Sequence, residues 1–145
     1  LDTFKNACPD GWLRFKDSCY SKQRQKMDYD TAEQNCYAQG ATLFVANSPE
    51  EWNVVMKSST ANSWTWVGLV QRQGMPTAKW QAPGAMDVSR LNWLLRPYRS
   101  GSNGWSAYSE CAANFNTLPS TSSYLYFYPC TLQFASICER NSSFH

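Results

Sequence analysis

The sequence predicts a disulfide-bonded α+β domain, and three observations carry that prediction. Six cysteines, at positions 8, 19, 36, 111, 130 and 138, form an even set with no C-x-x-C pair. Two segments in the first half carry helix start signals. Short aromatic and β-branched runs, bounded by turn residues, lie around and after them. The usual zinc sites need four Cys or His ligands at tight spacing, and the single histidine is the terminal His145. A disulfide framework in an oxidising compartment is the reading that remains. Six cysteines allow about 15 pairings, and spacing does not choose among them.

A chain of 145 residues fits one domain, assigned to residues 1–140 with a polar tail at 141–145. Its seven tryptophans suit a rigid fold in which large rings fill space between short strands. A formal charge of +2 is too small for a general nucleic-acid binder. No apolar run approaches the ~18 residues of a membrane helix, so membrane insertion is not expected. The chain opens on Leu1, as a mature or trimmed chain would. Asn141-Ser142-Ser143 is a glycosylation sequon, consistent with a secreted, extracellular glycoprotein.

The elements follow in order. Cys8 and Cys19 bracket Pro9-Asp10-Gly11, a turn signal, and the short alternating run Trp12-Leu13-Arg14-Phe15. A second strand is expected to begin near Ser18-Cys19-Tyr20. Asp28 or Asp30 can cap a helix running to about Ala38 with Gly40 as its stop; Tyr29, Ala32, Cys36 and Gln39 recur at helical spacing. Leu43-Phe44-Val45 reads as a buried strand. Ser48-Pro49-Glu50-Glu51 starts a second helix: Ser48 as cap, Pro49 in the first turn, Glu51 returning a bond to the cap N–H. Trp52, Val55 and Met56 form its apolar stripe. Trp64 to Val70 is the strongest strand signal. Residues 71–123 read mostly as loop, broken by Gly and Pro but kept ordered by Trp80, Trp93 and Trp105. Strands are expected near Tyr124–Tyr128 and Ala135–Cys138.

With these elements in place, the chain resembles the C-type lectin-like domain family in its long form, along nearly its whole length. The landmarks are Cys8-Pro9-Asp10-Gly11-Trp12 with Cys19-Tyr20, then Trp66-Val67-Gly68-Leu69, Leu91-Asn92-Trp93 and the closing Ile137-Cys138-Glu139. The resemblance implies two helices flanking small antiparallel sheets, with a long irregular loop region. It also implies three disulfides: Cys8–Cys19, Cys36–Cys138 and Cys111–Cys130. Sugar-binding members hold calcium in the long loop through E-P-N or Q-P-D, an acid two residues before the loop cysteine, and W-N-D. Here Arg96-Pro97-Tyr98, Ser109 and Leu125-Tyr126-Phe127 stand at those places. A calcium ion needs 6–8 oxygen ligands, and these residues do not supply them. No metal ligand and no cofactor is therefore assigned, and calcium-independent binding is expected.

The long loop is instead basic. Arg72, Lys79, Arg90, Arg96 and Arg99 stand against only Asp87 and Glu110. Arginines beside Trp93, Tyr98 and Trp105 could clamp sulfate, phosphate or carboxylate while the rings stack on a ligand. The plainer alternative is that the rings pack the loop and the arginines solvate it. Arg90, Trp93, Arg96, Tyr98, Arg99 and Trp105 are the candidate ligand-binding residues. Lys22, Arg24 and Lys26 form a second basic cluster, read as neutralised by Asp28, Asp30 and Glu33. Alternation should bury about half of the aromatic segment Tyr124–Tyr128, leaving the rest as a contact patch. No catalytic residue is assigned: a terminal histidine, paired cysteines and scattered acids leave no base, thiolate or carboxylate pair. The expected function is a secreted binding module for a protein or an acidic or sulfated glycan. The alternative is a true carbohydrate lectin, using a relocated calcium site or calcium-free aromatic stacking. A structural or membrane-disrupting secreted protein is the third possibility.

Overall fold

The structure, a computed structural model, describes residues 8–117 and 122–141. The sequon side chain at Asn141 and the tail beyond it lie outside the described residues.

Strands β1 (Leu13–Phe15) and β2 (Ser18–Met27) form the expected hairpin, with Leu13 opposite Tyr20 and the Cys8–Cys19 disulfide holding its base. Helix α1 (Tyr29–Ala38) follows. Asp28 occupies its N-cap position without a side-chain capping bond, and the chain leaves at Gly40, whose φ is +71°. After β3 (Thr42–Leu43) comes α2 (Pro49–Lys57). Ser48 Oγ accepts the Glu51 N–H at 3.1 Å, as its sequence signal requires. The Glu51 carboxylate departs from expectation: Oε1 accepts from Asn47 N–H at 2.7 Å, one residue before the cap. Strands β4 (Ser63–Val70), β5 (Lys79–Trp80), β6 (Cys111–Asn116), β7 (Tyr124–Tyr128) and β8 (Phe134–Asn141) complete the chain.

The strands join in the order β1-β2-β8-β4-β6-β7, with β3 on β8 and β5 on β4. The small antiparallel sheets expected are thus one mixed sheet. A short parallel pairing of β4 with β8, Thr65 to Ala135, links its two antiparallel parts. Period-two alternation splits the core between the two faces. Val67, Leu69, Leu125, Phe127 and Ile137 face α2 and the long loop. Trp66, Val70, Cys111, Ala113 and Cys138 face α1. Gly68 is dictated by close approach, since a Cβ there would lie 2.9 Å from the Leu43 carbonyl oxygen. Cys36–Cys138 ties α1 to β8 across 102 residues, worth about 4–5 kcal/mol in the chain-entropy account. Cys111–Cys130 is the third bridge.

The region read as loop holds a central strand. β6 pairs with β4 on one side and β7 on the other. Its sequence, Cys-Ala-Ala-Asn-Phe-Asn, is poor in β-branched residues. The strand exists because flanking partners and burial override propensity.

Candidate binding site

Indole N–H groups hold the long loop by donating to backbone carbonyls within it. Trp80 donates to Met86 at 2.9 Å, Trp93 to Val88 at 2.7 Å and Trp105 to Gln71 at 2.6 Å. Trp93 is only 1% exposed, with its ring between Tyr98 (4.7 Å) and Phe127 (5.3 Å). The Tyr98 hydroxyl accepts from Ala78 N–H at 3.2 Å and lies 3.2 Å from Thr77 Oγ1. Of the six candidates, the three aromatic ones therefore pack the loop. Trp93 in particular is corrected to a core residue, because both its faces are covered. Composition shows that rings are present but not which way they point.

The arginines are placed differently. Arg90, Arg96 and Arg99 are all exposed, and among the described residues none makes an ion pair. Arg90 and Arg96 line one groove of about 160 Å³ with Trp52 and Asn53 of α2. Arg99 is not among its lining residues. Arg90 ends the short 3₁₀ turn Val88–Arg90, which Asp87 caps by accepting Ser89 N–H at 2.9 Å. That hydrogen bonding holds the Asp87 carboxyl below its ordinary range. The Arg96–Pro97 peptide is cis.

Asn103, which sequence reasoning missed, organises the segment before Arg96. It is buried, with φ +59°, a conformation that Asn tolerates better than most residues. Its Oδ1 accepts Leu95 N–H at 2.6 Å, and its Nδ2 donates back to Leu95 O at 3.2 Å. Its own carbonyl accepts Phe127 N–H at 2.9 Å. The Asn103-Gly104 dipeptide is a turn signal that could have pointed here. Gly104 is required as well, since its φ is +83° and a Cβ there would run into the Tyr126 ring.

Other basic groups are spoken for or dispersed. Arg72 lies 3.7 Å from Asp30 and 3.6 Å from Glu110, over the Tyr29 ring, and so belongs to the fold. Lys22, Arg24 and Lys26 are exposed on β2, and among the described residues no ion pair joins them to the acids expected to neutralise them. Lys22 instead donates to the Ser58 carbonyl at 3.0 Å.

The places of the family's calcium ligands do not fit the ion. Arg96 is a cation, and Leu125 and Phe127 are buried hydrocarbon side chains. Ser109 closes a turn with Ser106, its N–H donating to the Ser106 carbonyl at 3.0 Å. Asp87 is engaged as a cap, and Glu110 pairs with Arg72 while accepting Gln73 N–H at 2.6 Å. The aromatic segment alternates as expected. Leu125 and Phe127 enter the core, while Tyr124, Tyr126 and Tyr128 lie half-buried in a chain of rings with Phe115, Trp64 and Phe134.

Comparison with known proteins agrees with this architecture. The Lectin C-type domain family profile matches residues 25–140. The chain is 44% identical over 146 residues to C-type lectin domain-containing protein 91 of Caenorhabditis elegans, covering 95% of this chain and 64% of that protein. It therefore spans less than two thirds of the length of such curated relatives. Among solved structures it resembles the C-type lectin domain of murine dendritic cell inhibitory receptor 2 in complex with N-glycan, with a TM-score of 0.77 and 20% identity over 93% of this chain and 99% of that one. It also resembles a Ca2+-dependent type II antifreeze protein in its Ca2+-free form, with a TM-score of 0.76 and 22% identity over 92% and 99% of the two chains.

Proposed function

Because the chain belongs to the C-type lectin domain family, a family of binding domains, we propose that it is an extracellular binding module for acidic groups on a glycan or protein, acting without the family's primary calcium site. The observation that carries this reading is the pair Arg90 and Arg96, exposed, outside any ion pair among the described residues, and lining the same groove. Guanidinium groups present paired N–H donors that match carboxylate and sulfate oxygens. Unpaired arginines at a groove keep those donors free for a ligand, whereas Arg72 has spent its own on Asp30 and Glu110. Secretion fits the three disulfides, which persist in oxidising compartments. Among the described residues no helix is long and apolar enough to cross a membrane.

A glycan array tests the reading when run once in calcium and once in chelator. Binding confined to sulfated or carboxylated glycans, equal in both conditions, is the expected result. Binding of neutral glycans that disappears in chelator would mean a relocated calcium site, and the arginine reading would be wrong.

A further inference from the structure

Residues 88–109 contain three arginines and neither Asp nor Glu. The same stretch holds Leu94 and Leu95, at 49% and 55% the most exposed large aliphatic side chains among the described residues. They directly precede Arg96, which shares its groove with Arg90. Single exposed leucines are ordinary, but an adjacent pair beside arginines outside any ion pair is an apolar patch with a charged rim. The backbone of this pair is already engaged. Leu94 N–H donates to the Leu125 carbonyl at 3.2 Å. Leu95 N–H and carbonyl both bond to the Asn103 side chain, at 2.6 and 3.2 Å. The leucine side chains can therefore enter an apolar phase without carrying those three polar groups in unpaired.

This combination selects a partner. An acidic glycan answers the guanidiniums but offers two aliphatic side chains little hydrocarbon to bury against. A bilayer containing acidic lipids supplies both, as anionic headgroups with hydrocarbon directly beneath them. Two features favour it over a protein partner. The stretch carries charge of one sign, which complements a uniformly anionic face. Its leucines stand half exposed and need no pocket of matching shape. The acids at either end are engaged, Asp87 as a cap for Ser89 N–H and Glu110 with Arg72. Resting on the arginine reading above for its charge, we propose that Leu94, Leu95 and Arg96, with Arg90, dock the chain on an anionic lipid surface. The leucines dip into the outer hydrocarbon while the guanidiniums stay at the phosphate level. This is docking on one face of the bilayer, not a crossing of it.

The test is co-sedimentation of the full chain, in EDTA, with vesicles of phosphatidylcholine alone or mixed with phosphatidylserine. Mixed vesicles should bind the chain, and neutral ones should bind it about tenfold more weakly or less. Leu94→Ser/Leu95→Ser should lower binding to mixed vesicles by about tenfold or more, and Arg90→Ala/Arg96→Ala by a similar factor. Leu13→Ser, at an exposed leucine on β1, should leave it unchanged. Leu95→Trp should strengthen it, because indole favours the headgroup region, so the proposal does not rest on loss-of-binding variants alone. No binding to either vesicle, with arginine-dependent retention on heparin intact, overturns the docking and turns the leucines toward a protein partner; the arginine reading stands. Binding that needs the arginines but not the leucines overturns the docking in the same way, as does equal binding to neutral vesicles. An arginine variant that matches wild type on mixed vesicles and on heparin alike overturns both.

Discussion

Helix α2 has two polar flanks, and they differ in whether their charges find partners inside the protein. On one flank Glu51, 6% exposed, accepts from Asn47 N–H, and its Oε2 accepts the Tyr20 hydroxyl. Nearby Glu139 accepts from Val45 N–H at 3.1 Å and from the Ser18 hydroxyl at 3.0 Å. On the other flank Asn53 faces a groove whose arginines form no ion pair among the described residues, although Arg90 lies within electrostatic range of the Asp87 carboxylate. Buried and saturated, the carboxylate flank is part of the fold. The arginine flank, exposed and outside any ion pair among the described residues, is the one proposed above to take a ligand.

The largest expected effect lies on the saturated flank. Glu51→Ala strips partners from the Tyr20 hydroxyl and Asn47 N–H together, and should cost about 3 kcal/mol in urea unfolding. Comparable stability of variant and wild type would mean that this flank is not a structural hub.

The next effect sharpens the same flank through pH. Burial, then the charge of neighbouring Glu51, push the Glu139 carboxyl up to about 7. In the unfolded chain a Glu carboxyl titrates near ~4.3, so the folded state binds the proton more tightly between these values. The resulting stabilisation is complete below the unfolded value, is lost as pH rises through about 7, and is flat above. Glu139→Gln cannot titrate. Relative to this variant, wild type should lose about 2–3 kcal/mol between acidic and mildly alkaline pH. Parallel stability profiles would contradict the assignment.

A smaller change crosses to the loop flank. Asn103→Ala removes both side-chain bonds to Leu95 and a residue that tolerates its positive φ better than Ala does. It should cost about 1–2 kcal/mol and weaken acidic-ligand binding, because the segment entering Arg96 loses its clamp. Hydrogen exchange at Leu95 N–H should accelerate well before global unfolding.

The same contrast explains what the sequence reveals. Helix α2 is legible because Ser48-Pro49 and Glu51 form a local signal, and the three disulfides because the cysteine frame resembles a family's. β6 is not, since Ala112, Ala113 and Asn114 become a strand only between two neighbours that the chain supplies far away. Of the candidate site, the arginines were readable as unbalanced charge. Trp93 was not, because burial depends on Tyr98 and Phe127 closing over it. The polar cavity beside the arginine groove was invisible for the same reason: Asn53, Asn92 and Asn114 line it from three separate segments and meet only in the fold.

The central claim is that unpaired loop arginines, not calcium, hold the ligand. Salt elution from a heparin column in EDTA tests it most directly, comparing wild type with Arg90→Ala/Arg96→Ala and Lys22→Ala/Arg24→Ala. The arginine variant should elute at clearly lower salt with stability changed by no more than ~0.5 kcal/mol, and the β2 variant should stay near wild type. Wild type eluting near physiological salt, or both variants co-eluting with it, would contradict the account.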